Sequence, residues 1–75
     1  MKLEIKELSA GNGYISFKLD EIQFTIKDIE NIKLTHHKNR YKFGFYMFVY
    51  HGVIASLDRT SGDALKNAIE TIGWN

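Results

Sequence analysis

The chain has 75 residues, 44% hydrophobic and 25% charged, with ten Lys/Arg against nine Asp/Glu for a net charge of +1, and no cysteine. That length allows one domain with a modest core, and the composition excludes a wholly disordered chain. The absence of cysteine excludes disulfides and thiolate zinc sites, and the balanced charge lacks the overall excess of a nucleic-acid binder.

Lys2 to Leu8 alternates, with Leu3 and Ile5 on one face against Lys2, Glu4 and Lys6, which predicts a strand. The same charge alternation is wrong for a signal peptide, and no apolar run reaches membrane-spanning length, so a cytoplasmic location is expected. Ser9 to Gly13 is turn chemistry, because Gly and Asn tolerate positive φ. Tyr14 to Leu19 predicts a second strand with Ile15, Phe17 and Leu19 inward. Asp20-Glu21 reads as a tight reversal, and Glu21 to Lys27 as a third strand with Ile22, Phe24 and Ile26 inward. Ile26, Ile29 and Ile32 are spaced by three, too short a pattern for a stable helix. We read a bend there, with a strand resuming over Asn31 to His36 and an exposed hairpin loop at residues 36 to 40.

Tyr41 to Tyr50 (YKFGFYMFVY) is the longest predicted strand and carries six aromatic residues in ten. Tyr41, Phe43, Phe45, Met47 and Val49 share one face; Lys42, Gly44, Tyr46, Phe48 and Tyr50 share the other. His51-Gly52 suits a two-residue hairpin turn, after which Val53 to Leu57 returns as a strand. Thr60-Ser61-Gly62-Asp63 resembles a capping box with Asp63 in place of the usual Glu. Leu65, Ala68, Ile69 and Ile72 then form an apolar helical stripe. Gly73 suits a helix stop, with Trp74 expected to pack back on Ile69.

The expected fold class is α+β: one domain over residues 1–75, a strongly bent antiparallel meander of five to six strands, and one C-terminal helix on one sheet face. The expected core is Leu3, Ile5, Ile15, Phe17, Leu19, Ile22, Phe24, Ile26, Phe43, Phe45, Met47, Val49, Leu65, Ile69 and Ile72. The strand from Ile22 to Ile26, the acidic turn Lys27-Asp28-Ile29-Glu30 and the resumption at Asn31-Ile32 resemble a bacterial PH-like domain. The hairpin strands from Lys42 to Leu57 and the helix from Ser61 to Ile72 complete the same order. That resemblance implies an adaptor or recognition module for peptides, lipids or partner proteins, with no catalytic residues to transfer.

No acid lies between Asn31 and Leu57, a stretch that holds Lys33, His36, His37, Lys38, Arg40 and Lys42. One helix covers one sheet face, so the other face is expected to expose Tyr46, Phe48 and Tyr50. Contiguous exposed aromatics mark interfaces. Lys38, Arg40, Lys42, Tyr46, Phe48 and Tyr50 are therefore the expected partner-binding residues of a non-catalytic protein-binding module, with a homodimer as one form. A chain of this size also suits a small inhibitor of the kind carried by phages and mobile elements.

The alternative class is nucleic-acid binding, with the cations of residues 33–50 following phosphates while tyrosines stack on bases. Phe43 to Phe48 resembles the aromatic core of the RNP1 motif of RNA-recognition domains. Lys42 stands where that motif has glycine, however, and the first strand lacks the partner aromatic. His36 and His37, adjacent on a strand, point to opposite faces and with His51 make no metal centre. No nucleophile sits beside an oriented base, so neither catalysis nor a cofactor is expected.

Overall fold

The computed structural model describes residues 3–38 and 44–72. Six strands precede one helix: β1 (Ile5–Gly11), β2 (Tyr14–Leu19), β3 (Ile22–Ile26), β4 (Lys33–His37), β5 (Phe45–Tyr50), β6 (Val53–Asp58) and α1 (Arg59–Ile72). They form two three-stranded antiparallel sheets, β1-β2-β3 and β4-β5-β6. The α+β class and the C-terminal helix are as expected, but the single sheet is not. The two sheets meet at one corner, where Leu3 makes a parallel bridge to Leu57: its N–H donates to the Ser56 carbonyl at 2.7 Å, and its carbonyl accepts from Asp58 N–H at 3.1 Å.

Two-residue turns fix the registers of β2–β3 and β5–β6. Leu19 pairs with Ile22 across Asp20-Glu21, and Tyr50 with Val53 across His51-Gly52. All four turn residues have positive φ, 51° and 69° in the first turn and 44° and 82° in the second. This matches the strand twist but suits Asn and Gly best. Glu21→Gly should therefore raise stability by about 0.5–1 kcal/mol, seen as a higher urea midpoint; an unchanged or lower midpoint would contradict the turn geometry.

A bulge in β1 sets Glu7 and Leu8 against Phe17 of β2, since Lys6 pairs with Lys18 and Ser9 with Ser16. Glu7 takes a positive φ of 54°, and the extra residue switches strand parity. Ile5 and Leu8, three apart, therefore both pack on the core. Between β3 and β4 the predicted bend is one turn of 3-10 helix, Ile29–Asn31. It buries Ile26, Ile29 and Ile32 together.

The helix starts earlier than the capping box suggested. Asp58, the last residue of β6, caps it by accepting from Ser61 N–H at 2.7 Å. Ser61 Oγ in turn accepts from Ile5 N–H at 2.9 Å and ties the helix to β1. The expected stop at Gly73 and the packing of Trp74 lie outside the described residues. Leu65 and Ile69 are buried, with Ala68 and Ile72 packed beside them.

The core joins the inner faces of both sheets to this helix. Phe48 of β5 meets Phe17 and Phe24 edge-on, with ring centroids 5.9 and 6.2 Å apart, while Phe17 and Phe24 stack on each other at 5.2 Å. Six expected core residues are buried: Ile15, Phe17, Leu19, Ile26, Leu65 and Ile69. Leu3, Ile5, Phe24 and Ile72 pack partly buried against them. Ile22 is 61% exposed at the tip of the β2–β3 hairpin, where the second sheet does not reach. Phe43 lies outside the described residues.

Candidate functional site

The largest departure from expectation concerns β5. Tyr46 and Phe48 are 4% and 0% exposed, and Tyr50 packs half-buried beside them, so this face builds the core. Phe45, Met47 and Val49, expected inside, lie half-buried on the opposite face. The inner face suits tyrosine because each hydroxyl leaves the core toward a carboxylate at its rim. Tyr46 Oη donates to Asp63 Oδ1 of α1 at 2.5 Å, and Tyr50 Oη donates to Asp28 Oδ1, just before the 3-10 turn, at 2.5 Å. These bonds to acids push both phenols above their ordinary pKa, with burial and the acids' charges adding to the effect.

Tyr46 and Phe48 thus do not present a partner-binding surface, and Tyr50 is held by Asp28. Of the expected cations, Lys38 is exposed after β4, whereas Arg40 and Lys42 lie outside the described residues. The two adjacent histidines do face opposite ways. His36 stacks on Tyr46 on the inner side at 4.5 Å, and His37 on Phe45 on the outer side at 5.1 Å.

Asp28 gathers three donors. Besides Tyr50, it accepts from Asn31 Nδ2 at 3.0 Å and pairs with His51 Nε2 at 2.7 Å. This cluster ties the β5–β6 turn to the segment before β4. The Tyr50 bond, then His51 and Asn31, hold the Asp28 carboxyl well below its ordinary value of 3.8. A depressed carboxylate contributes stability above its unfolded pKa and loses that contribution as pH falls through the folded one. The stability gap between wild type and Asp28→Asn should therefore be constant above about pH 5 and shrink below pH 4. Urea titrations across that range measure it; a gap independent of pH would overturn this role for Asp28.

Two surfaces at the margin of the core stay accessible. The first is the edge of β4, which ends the order β4-β5-β6 among the described residues. Beside it runs a groove of about 280 Å³ between β4 and α1, lined by Ile32, Leu34 and Ile69 with Lys66 and Glu70. The second is the outer face of the same sheet. Register places its residues in three rows: Lys33, Val49 and Ile54; Thr35, Met47 and Ser56; His37, Phe45 and Asp58. Ile54 is 69% exposed there.

A larger cleft by β1 and β2 is lined by Glu4, Lys6, Glu7, Lys18, Asp20 and Glu21, and its charges include a Lys18–Glu7 ion pair at 3.1 Å. Among the described residues no group of three or more His, Cys, Asp or Glu is placed to hold a metal ion. Every buried side-chain N or O atom among them has a hydrogen-bond partner. No helix among them is long and apolar enough to cross a membrane.

The sequence did carry a signal for the orientation of β5. A two-residue turn at His51-Gly52 pairs Tyr46 with Leu57 and Phe48 with Ala55, leaving Ser56 and Asp58 opposite Met47 and Phe45. The polar parity of β6 marks the outer face. No family model, curated protein or solved structure matches the chain.

Proposed function

We propose that this chain is a non-catalytic protein-binding module that captures an extended acidic peptide along β4. One observation carries the reading: a five-residue strand at a sheet edge runs directly beside an apolar groove closed by α1. Among the described residues no further strand pairs with β4. An added strand would gain main-chain hydrogen bonds from this edge and set alternate side chains into the groove. An aliphatic side chain would contact mainly Leu34 over the buried floor formed by Ile32 and Ile69, while carboxylates would meet Lys33, Lys38 and Lys66.

Lys33 and Lys38 also shape the choice of partner. Pairing of β4 with β4 of a second copy would bring cations together, a common protection of edge strands. An acidic peptide would instead be attracted. The nucleic-acid reading is less well supported, because Tyr46 is buried and Tyr50, half-buried, is held by Asp28. An adaptor and a small inhibitor would both use this edge in the same way, as would a PH-like recognition module.

The test is an amide chemical-shift titration with a synthetic peptide of alternating valine and glutamate. Shifts should cluster on β4 and on Lys66 to Glu70, and Leu34→Glu should weaken binding roughly tenfold or more, about 1.4 kcal/mol. Shifts elsewhere, or equal affinity in Leu34→Glu, would overturn the proposal. Retardation of single-stranded DNA or RNA at low salt in the absence of peptide binding would favour nucleic acid instead.

A further inference from the structure

We infer that the outer face of β4-β5-β6 is a second docking surface, and that its occupant is an acidic amphipathic helix of a partner protein. Of the three strands, β5 is apolar on both sides, whereas β4 and β6 turn the polar Lys33, Thr35, His37, Ser56 and Asp58 outward, as a sheet with one solvated face ordinarily does. Their inner side carries Tyr46, Phe48, Ala55 and Leu57 against the core. Their outer side carries Met47, Val49 and Ile54, side by side across β5 and β6. Ile54 is the most exposed of the large apolar residues described, and contiguous exposed apolar side chains mark interaction sites.

Charge selects the occupant. Lys33 and His37 lie on this face along β4, and Lys38 follows directly. The sequence from Asn31 to Leu57 has no acid. The acid on this face, Asp58, lies two rows from Lys33, beside Phe45, and caps α1 through Oδ1. A partner with leucine-type residues in a stripe and carboxylates beside them complements both features. A helix of about ten residues is roughly 15 Å long, close to the width of three strands at about 4.8 Å spacing. It would then cover this face as α1 covers part of the other.

A second copy fits less well. Three strands by three residues offer an area on the order of 300 Å², far below the roughly 800 Å² per partner of a stable interface, and a second copy would bring a second Lys33 rather than carboxylates to complement the first. The helix contact is small too, so it should be weak and in fast exchange. The surface is distinct from the β4 groove, because it lies on the opposite side of the sheet and depends on Ile54 rather than Leu34.

The experiment uses the full chain and a synthetic 14-residue helical peptide with leucines at i, i+3, i+4 and i+7 spacing and glutamates elsewhere. Amide shifts should appear at Met47, Val49, Ile54 and Ser56 and weaken with salt. Ile54→Glu, at an exposed position, and Lys33→Glu should each reduce affinity at least roughly tenfold. Leu34→Glu should leave binding of this peptide unchanged, which separates the outcome from that of the groove. Shifts confined to the groove, or none at millimolar peptide, would overturn the inference. So would equal binding of a lysine-for-glutamate version, or a concentration-dependent dimer that Ile54→Glu dissolves.

Discussion

Phe48→Ala should destabilise the protein by about 3–5 kcal/mol, the usual cost of emptying a fully buried phenylalanine site. Phe48 is 0% exposed and is the side chain through which the second sheet reaches Phe17 and Phe24 of the first. A domain of this size has roughly 4–11 kcal/mol to lose at about 0.05–0.15 kcal/mol per residue. The variant should therefore be largely unfolded or unfold at low urea. Met47→Ala, one residue away on the outer face, should cost about 1 kcal/mol or less. Urea unfolding of the two variants side by side decides between the faces. A larger cost at Met47 than at Phe48 would restore the opposite orientation of β5.

Gly62→Ala is the second large effect, and it runs against helix propensity. In an exposed helix the change would gain up to about 1 kcal/mol. Here Gly62 is buried near the start of α1, and a methyl group would overlap the Tyr46 ring and crowd its Cβ. Neither the strand backbone nor the ring can withdraw freely, because Tyr46 Oη is held by Asp63 and its other side is covered by His36. A net loss of about 1–3 kcal/mol is expected, as for overpacked cores. A double-mutant cycle isolates the cause. In a Tyr46→Ala background, Gly62→Ala should cost nothing or stabilise, since the clash has gone. Equal costs in both backgrounds would show that the close approach of helix and strand is not the reason for glycine.

Both effects depend on the orientation of β5, the part of the fold least legible in the sequence. Its two parities are almost equally apolar, with Phe45, Met47 and Val49 against Tyr46, Phe48 and Tyr50, so alternation alone does not choose. The register imposed by His51-Gly52 and the polar residues Ser56 and Asp58 of β6 would have chosen, because they show which side of the neighbouring strand faces water. The consequence for binding is a reversal. The tyrosines expected to meet a partner are spent on the core, and Phe45, Met47 and Val49, expected in the core, lie half-buried on the outer face. The basic approach along Lys33 and Lys38 keeps its place beside both candidate surfaces.

Sequence alone determined the elements that local chemistry specifies. The second and third strands of the first sheet, the bend at Ile29, the turns at Asp20-Glu21 and His51-Gly52, and the amphipathic helix follow from alternation, turn residues and helical spacing, whereas β1 continues to Gly11 through residues expected to form a turn. Only the tertiary structure decided which face of β5 is buried, that six strands divide into two sheets, and that Asp58 caps the helix. Each of these depends on contacts between residues far apart in the chain: Gly62 making room for Tyr46, Phe17 and Phe24 receiving Phe48, and Leu3 bridging to Leu57. A strand apolar on both sides takes its orientation from the partner that packs best, and that partner is not its neighbour in sequence.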